Sequence, residues 1–361
     1  MANAKEITLK SMKASLLDNP EDSLNVVLVI GESYIKHHAS IYGYYLKTTP
    51  HMAQEKEKGS LFAFNNVVTP NNLTSNVLKN LLSTNNSSNS EAWYDTPYFP
   101  AIFRGAGYNV YFWDNQKTFN PNAEYTFALN SFLYCKEFEK IVYSAVNNNQ
   151  PIKYDGDLIK SFKDNVILTH SHNLIIFHLM GQHFITTNRF PQTKNFIHFT
   201  GDSIKSTKSF INAEKKQMIA DYDNATLYND HVLSQIFQLF SSSSSIVIYL
   251  SDHGEEVYDF RNRMGRDHGA LSKMKAKYEY EVPFIIWCSN LFKEKHPDTV
   301  KALESSLEKP FMLDNLCNML FYIGSVKTPF YRSEYNPLSP DYQCKSRLLE
   351  GYWDYDKEYK Q

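Results

Sequence analysis

Short apolar runs, each followed by a polar cluster, recur along the chain. The runs are LNVVLVI (24–30), NVYFW (109–113), NLIIFHLM (173–180), SIVIYLS (245–251) and VPFIIWC (282–288). They do not alternate with polar residues, which is typical of strands buried on both faces. Helical patterns lie between them, for example at 96–107 and 218–240. This alternation predicts an α/β fold with a central, mostly parallel sheet and helices on both faces.

Polar clusters follow three of these strands. They are GES (31–33), GQH (181–183) and DHGE (252–255). Because ligands bind beyond the carboxyl ends of parallel strands, we expect the three clusters to converge at one edge of the sheet. Gly31 is expected to end the first strand by letting the backbone turn, and Gly254 to supply the turn at the third cluster.

Two carboxylates and an imidazole in these clusters form a candidate metal site. Asp252 and His253 are adjacent at one strand end, and Glu32 occupies the matching end of another. This ligand set suits zinc or manganese. The ordinary alternative is a polar turn in which Asp252 caps a helix, but the matching position of Glu32 favours metal binding.

Two further histidines occupy loop positions near the same clusters. His183 follows the strand at 173–180, and His268 precedes Gly269 in RDHG. A lone histidine is more often a surface or core residue than a functional one, so each is only a candidate. We give the ordinary role to the other histidines considered: His37, His38, His51, His170, His172, His198 and His296.

A metal with one open position activates a nucleophile, and Thr74 is the candidate. It lies just before a helical apolar pattern in VVTPNNLTSNVLKNLLS (67–83). Backbone N–H groups and the helix dipole favour an anion at such a position. The ordinary role of Thr74 would be that of an N-cap, and Ser75 and Thr69 compete for the role of nucleophile.

Composition and charge narrow the class of protein. The chain has 361 residues, with 37 basic and 39 acidic side chains and a net charge of -2, which gives no reason to expect nucleic acid as a partner. It contains no apolar run long enough for a membrane helix. The four cysteines, Cys135, Cys288, Cys317 and Cys344, form no CxxC motif, although three of them could permit one disulfide.

Taken together, these residues resemble the catalytic domain of the phosphoethanolamine transferases, in the alkaline phosphatase and sulfatase superfamily. The resemblance depends on Thr74 and on GESYIKHHASIYGYYLKTTPHM (31–52), IFRGAGYNVYFWDNQ (102–116), HLMGQHF (178–184), YDNATLYNDHVLSQI (222–236) and SDHGEE (251–256). Their order and spacing cover most of residues 24–290. A sulfatase activity is not expected, because its CxPxR-type motif does not occur.

The resemblance implies a set of site residues and cofactors. Glu32, Thr74, Asp252 and His253 would bind zinc, or manganese in related phosphoglycerol transferases, with Thr74 as the nucleophile. His183 and His268 would line the donor site as substrate-binding and catalytic residues, and could hold a second zinc.

The resemblance also implies a ping-pong transfer. Thr74 would take phosphoethanolamine from phosphatidylethanolamine and pass it to a hydroxyl or phosphate of an envelope lipid or glycan. No cysteine pair flanks Thr74, as many lipid A-modifying members have, which leaves a glycan or another acceptor open. The alternatives are a phosphoglycerol transferase, a phosphodiesterase or an inactive binding or sensor module on the same fold.

The resemblance further implies a cellular setting. The expected location is the periplasmic face of the bacterial inner membrane, with membrane contact through N-terminal helices that precede a monomeric catalytic domain. We expect residues 1–23 to be a linker or artificial start, 24–345 the catalytic domain and 346–361 a tail. The chain after about residue 290 is expected to be peripheral to the chemistry.

Overall fold

A seven-stranded sheet forms the centre of the protein in the computed structural model, which describes residues 2–18, 20–87, 91–116, 136–147, 152–267 and 269–359. In chain order its strands are β1 Leu24–Gly31, β2 Leu61–Phe64, β3 Asn109–Asp114, β4 Ala145–Val146, β5 His172–His178, β6 Ser245–Ser251 and β7 Phe284–Cys288. Each of the five apolar runs overlaps one of these strands with ends that agree within two residues, so the strand predictions are confirmed.

The order of the strands places β1 at the middle of the sheet, as β2-β7-β6-β1-β5-β3-β4. β1 is parallel to both of its neighbours, β5 and β6, and β3 is parallel to β5 and β4. β7 runs antiparallel to β6 and to the edge strand β2. The predicted fold class, a mostly parallel sheet, is therefore confirmed, with an antiparallel pair at one edge.

Helices pack on both faces of the sheet because the side chains of β1 alternate between two cores. Val26, Leu28 and Ile30 belong to the core that also contains Val77 and Leu81. Val27 and Val29 belong to the opposite core, which contains residues from the long helix near the middle of the chain. Every residue of β1 is buried, which explains why its sequence shows no polar alternation.

The helices surround this sheet in chain order. They are α1 Ala2–Lys13, α2 Pro50–Glu57, α3 Thr74–Leu81, α4 Phe99–Ala106, α5 Lys136–Val142, α6 Asp155–Asn165, α7 Ala213–Phe240, α8 Lys273–Lys275, α9 Asn290–Lys295, α10 Pro297–Glu304 and α11 Leu316–Ile323. α7 begins five residues before the predicted start at 218, because the Asn212 side chain accepts a hydrogen bond from the Lys215 N–H and caps the helix there.

Three pairs of short strands lie outside the sheet. Leu16–Leu17 pairs with Val326–Lys327, Phe311–Met312 pairs with Val67–Val68, and Leu348–Leu349 pairs with Trp353–Asp354. In the described parts of the chain, every helix is too short or too polar to span a bilayer. The domain bounds proposed from the sequence stay a prediction.

Candidate active site

The first polar cluster lies where β1 ends, but Gly31 does not make the turn. Gly31 is still part of the strand and pairs with Ser251 of β6. The left-handed residue is Ser33, with φ 56°. A Cβ at Gly31 would lie 2.4 Å from the hydroxyl oxygen of Tyr249, so glycine is needed for close packing rather than for a turn. The sequence-based explanation of Gly31 is therefore wrong, because the neighbouring strand could not be seen from the sequence.

The third cluster is joined directly to the first. The Asp252 N–H donates to the carbonyl oxygen of Gly31 at 3.1 Å, and Asp252 Oδ1 accepts from the Ser33 N–H at 3.2 Å. Gly254 also serves close packing: a Cβ there would lie 2.0 Å from the Tyr278 carbonyl oxygen. Its φ is not left-handed, so the expected glycine turn is a second correction.

Thr74 reaches this edge from the first turn of α3. Leu73 occupies the N-cap position and makes no side-chain capping bond, so Thr74 is not the N-cap that was its ordinary alternative. Its Oγ1 donates to Glu32 Oε2 at 3.0 Å and lies 3.0 Å from His253 Nε2. The helix start therefore directs this hydroxyl towards the carboxylate and the imidazole.

Glu32, Asp252 and His253 form one compact group. His253 Nε2 lies 3.0 Å from Glu32 Oε1 and 3.1 Å from Asp252 Oδ2. All three side chains are fully buried, and their candidate ligand atoms lie within 4.8 Å of one another. With Thr74, the structure thus brings together residues from three distant parts of the chain.

This group fits a metal ion by the chemistry of its donor atoms. His253 Nδ1 contacts the Gly254 carbonyl oxygen at 2.7 Å, so it carries the proton and leaves a lone pair on Nε2. That lone pair faces two carboxylate oxygens, and Asp252 Oδ2 has no hydrogen-bond donor among the described residues. Buried acceptors that face one another in this way are suited to hold a cation between them.

The three residues of the group have pKa values that are shifted in different directions. Burial, reinforced by the charge of Glu32, raises the pKa of Asp252 well above its usual range. Burial also acts to raise the pKa of Glu32, but His253 and Arg266 outweigh it and hold that pKa well below its usual range. Burial and the charge of Arg266 lower the pKa of His253, which favours the neutral form that binds metal.

Neither competing hydroxyl occupies the position of Thr74. Thr69 is fully buried, and its Oγ1 donates to the carbonyl oxygen of Asp252 at 2.5 Å. Its hydroxyl therefore supports the loop that carries Asp252 and His253. Ser75 is the second residue of α3, whereas Thr74 supplies the hydroxyl that contacts Glu32.

Of the two additional histidines, His183 lies near the group. Its positive form would lower the pKa of Glu32, and its ring is partly exposed. The preceding loop touches Glu32 directly, because the Gln182 N–H donates to the Glu32 carbonyl oxygen at 3.0 Å. His268 lies outside the described residues.

Two site residues were missed by the sequence-based reasoning. Gln116 Nε2 donates to Glu32 Oε2 at 3.1 Å and to the Leu179 carbonyl oxygen at 2.7 Å. It lies two residues after β3, so the strand-end rule would have found it. Arg266 Nη1 lies 2.5 Å from both His253 Nε2 and the Asn72 carbonyl oxygen. Arg266 does not directly follow a strand, and no pattern in the sequence of its loop indicated that it belongs to the site.

The three cysteines that the structure describes are not members of this group. Cys288 and Cys317 are buried free thiols, and Cys344 is an exposed free thiol, so no disulfide joins these three described residues. Cys135 lies outside the described residues.

Comparison with protein families identifies the chain. A family model described as Sulfatase matches residues 24–308. The chain belongs to the sulfatase family. This match covers β1 to α10, the buried group of Glu32, Asp252 and His253, and Thr74. It confirms the superfamily inferred from the sequence motifs.

Relatives within the family are phosphoethanolamine transferases. The chain is 28% identical over 330 residues to phosphoethanolamine transferase EptC of Escherichia coli K12, which covers 90% of this chain and 55% of that protein. It is 31% identical over 278 residues to phosphoethanolamine transferase EptA of Helicobacter pylori, covering 75% and 49%. The chain thus spans about half the length of these relatives. They confirm the resemblance to phosphoethanolamine transferases and agree with an enzyme of the phosphotransferase class.

Solved structures of the family share the fold. The C-terminal periplasmic domain of EptC from Escherichia coli matches with a TM-score of 0.80 at 28% identity, over 95% of this chain and 96% of that one. The same domain in complex with Zn matches with a TM-score of 0.79 at 27% identity over the same shares. The region described here therefore corresponds to the periplasmic domain of that relative.

Proposed function

We propose that this chain is the catalytic domain of a metal-dependent phosphoethanolamine transferase. It moves phosphoethanolamine from phosphatidylethanolamine to a hydroxyl or phosphate of an envelope lipid or glycan. The observation that carries the proposal is the position of Thr74 Oγ1, 3.0 Å from both Glu32 Oε2 and His253 Nε2 at the start of a helix. The names of the relatives support phosphoethanolamine as the transferred group.

Glu32, Thr74, Asp252 and His253 would hold the metal. When bound, the ion supplies positive charge that activates the hydroxyl nucleophile and stabilises a phosphoryl oxygen. The zinc complex of the related EptC domain supports zinc, with manganese as the alternative. His183 and His268 are the candidates for a second zinc.

The transfer proceeds in two displacements at phosphorus. In the first, a bond forms between Thr74 Oγ1 and phosphorus, the bond from phosphorus to the glycerol oxygen breaks, and diacylglycerol leaves with a proton. In the second, the acceptor oxygen loses its proton and bonds to phosphorus, the bond between phosphorus and Thr74 Oγ1 breaks, and a proton returns to Thr74 Oγ1 to restore the hydroxyl. Glu32 Oε2 accepts the Thr74 hydroxyl proton in a hydrogen bond and is the group through which that proton leaves. His183 and His268 are the candidate proton donors to the leaving oxygen.

Arg266 supplies further charge to the phosphoryl group. Its guanidinium lies between His253 and the segment that leads to Thr74, and its Nε lies 3.4 Å from Glu255 Oε2. Phosphoryl transfer depends mainly on positioning and on charge that faces the equatorial oxygens. A guanidinium suits this role because its planar donors match phosphate oxygens.

We propose a cellular setting that the relatives support. The domain acts at the periplasmic face of the bacterial inner membrane, where phosphatidylethanolamine and the envelope acceptor are available. The integral membrane protein lipooligosaccharide phosphoethanolamine transferase A of Neisseria meningitidis shares the fold. We propose that the domain works as a monomer beside the membrane.

Two measurements on the purified chain test the function. Elemental analysis should find zinc close to one per chain, and peptide mass spectra after incubation with phosphatidylethanolamine vesicles should show phosphoethanolamine on the peptide that contains Thr74. Absence of both zinc and manganese would overturn the metalloenzyme. A phosphoglycerol adduct from phosphatidylglycerol, with none from phosphatidylethanolamine, would favour the phosphoglycerol transferase. Bound zinc without adduct or turnover would favour the binding module.

A further inference from the structure

The C-terminal part of the chain returns to the active site at Glu350. This residue lies in the turn between the short strands Leu348–Leu349 and Trp353–Asp354. Its N–H donates to the carbonyl oxygen of Pro70 at 2.9 Å, so the turn lies against the segment that leads to Thr74. Glu350 has φ 55°, a conformation that is costly for a residue with a side chain and that clusters at functional sites.

The Glu350 carboxylate joins two different loops of the site. Its Oε2 accepts a hydrogen bond from Asn71 Nδ2 at 2.5 Å. Its Oε1 accepts one from the hydroxyl of Tyr280 at 2.5 Å. Hydrogen bonds to an ionised carboxylate are shorter and stronger than neutral ones. One side chain therefore fixes Asn71 relative to Tyr280.

Asn71 passes this connection on to the helix that carries Thr74. Its Oδ1 accepts a hydrogen bond from the Leu73 N–H at 3.0 Å. Leu73 is the N-cap residue of α3, directly before Thr74. The two ends of the Asn71 amide thus link Glu350 to the start of the nucleophile helix.

Tyr280 connects Glu350 to the opposite side of the site. Its carbonyl oxygen accepts from the Thr69 N–H at 2.9 Å, and Thr69 supports the Asp252 loop. The preceding residue, Glu279, accepts a hydrogen bond from the Gly254 N–H through its carbonyl oxygen at 2.9 Å. The segment that holds Tyr280 is therefore packed against the loop that carries His253.

We propose that Glu350 is a positioning residue that sets the placement of Thr74 relative to His253. The proposal rests on the proposed function, because it concerns the geometry of that transfer. Glu350 contacts neither reacting group and acts through Asn71 and Tyr280. The expectation that the chain after about residue 290 is peripheral to the chemistry needs revision at this residue.

A reversal of the hydrogen bond between Asn71 and Glu350 tests the proposal. In Glu350→Gln, the single amide oxygen can accept from only one of the two partners, Asn71 or Tyr280, and the new N–H₂ turns towards the other. In Asn71→Asp, two carboxylates face each other. In the double variant, Gln at 350 donates to Asp at 71, whose second oxygen still accepts from the Leu73 N–H. The double variant therefore restores the connection with donor and acceptor exchanged.

Turnover and hydrogen exchange report on different parts of the proposal. We expect each single variant to lower kcat by roughly ten- to a hundredfold with KM and zinc content nearly unchanged, because small misplacements of a reacting group cost this much. The double variant should recover most of the loss. Amide exchange at Leu73 should become faster in both single variants and return towards the wild-type rate in the double variant. Glu358→Gln, an exposed change in the same segment, is the matched control.

The outcomes separate this proposal from the proposed function. Wild-type kcat and wild-type Leu73 exchange in Asn71→Asp, where two carboxylates face each other, would overturn the positioning role. Equal losses in all three variants, without recovery in the double variant, would also overturn it, because a merely structural role predicts no rescue. If the wild-type chain neither reacts with phosphatidylethanolamine nor forms an adduct, the proposed function fails. The Leu73 amide exchange rates of the wild type, the two single variants and the double variant then decide alone whether Glu350 positions the helix.

Discussion

Thr74 Oγ1 lies 3.0 Å from His253 Nε2, although 179 residues separate them in the chain. The first turn of α3 creates this contact, because it points the Thr74 side chain at the end of β6, and the positive end of the helix dipole there favours an anion. A hydroxyl in this position can attack a phosphorus atom whose oxygens face the helix start.

Replacement of Thr74 should therefore separate chemistry from metal binding. Thr74→Ala should lower transfer by roughly 10³-fold or more, because the nucleophile is lost. Zinc should be largely retained, because Glu32, Asp252 and His253 remain. Elemental analysis and product mass spectrometry measure the two effects.

The matched control is the neighbouring hydroxyl. Ser75→Ala should keep substantial activity, and the adduct should stay on the peptide that contains Thr74. Full turnover by Thr74→Ala, or an adduct located on Ser75 or Thr69, would show that the nucleophile has been misassigned.

Arg266 should contribute through charge rather than through metal binding. Arg266→Gln should lower kcat/KM by roughly 10²-fold, the effect of removing one donor to a developing anion. Inhibition by inorganic phosphate should weaken in parallel. Zinc should stay bound, because the variant removes a positive charge that would repel the metal ion and leaves the candidate ligands in place. Steady-state kinetics with phosphate as the inhibitor measures both.

A second arginine controls for charge in general. Arg332 donates to the Pro329 carbonyl oxygen at 2.7 Å, in the C-terminal part of the chain, and Arg332→Gln should leave kinetics and phosphate inhibition unchanged. If Arg266→Gln bound phosphate as tightly as the wild type, Arg266 would not face the phosphoryl group.

The positions of the metal-ligand candidates could be predicted because they depend on local rules. Glu32, Asp252 and His253 each follow a strand whose continuous apolar run is visible in the sequence. Parallel strands then bring their carboxyl ends to one edge of the sheet. The fold class, and the edge of the sheet at which the candidate site lies, follow from the same pattern of apolar runs.

Contacts between distant loops could not be predicted in this way. Glu350 and Asn71 are 279 residues apart, and neither belongs to a periodic pattern. Arg266 reaches His253 from a loop with no strand before it. The role of Gly31 was misjudged for a related reason, because its requirement comes from Tyr249 on the adjacent strand. Side-chain packing across the sheet decides such positions, and it leaves no local signal.

Gly31→Ala should destabilise the protein through a clash with Tyr249. A Cβ would lie 2.4 Å from the Tyr249 hydroxyl oxygen in a fully buried strand pair. Overpacking of this kind costs about 1–3 kcal/mol of unfolding free energy. Because Gly31 also accepts the hydrogen bond from the Asp252 N–H, zinc affinity should fall as well. Urea denaturation and zinc titration measure these losses.

Removal of the clashing hydroxyl provides the internal control. Tyr249→Phe should recover part of the lost stability when it is combined with Gly31→Ala, and should have a smaller effect alone. Additive losses in the double variant would contradict the packing explanation, since independent sites add while contacting ones do not.

His38 should stabilise the protein through a buried ion pair that persists to high pH. Its Nδ1 lies 2.7 Å from Asp223 Oδ1, and its Nε2 lies 3.0 Å from Asp259 Oδ1. Burial acts to lower the pKa of His38, but Asp259 and Asp223 outweigh it and raise that pKa to about 10. Burial also raises the pKa of Asp223, so His38 and Asp223 depend on each other for their charge.

The sign of the pH dependence follows from this raised pKa. The folded-state pKa of His38 lies above that of an unfolded histidine, about 6.5, so its contribution to stability is complete below that pH and is lost as pH rises through about 10.

His38→Gln should lower the free energy of unfolding by about 3 kcal/mol at pH 6, because one partner of a buried ion pair is removed. The difference from the wild type should shrink steadily between pH 7 and pH 10. His198→Gln, at an exposed histidine, is the matched control and should show only a small difference from the wild type. Urea denaturation at pH 6, 8 and 10 tests this directly, and a difference at His38 that stayed constant or grew with pH would mean that the ring is not protonated in the folded protein.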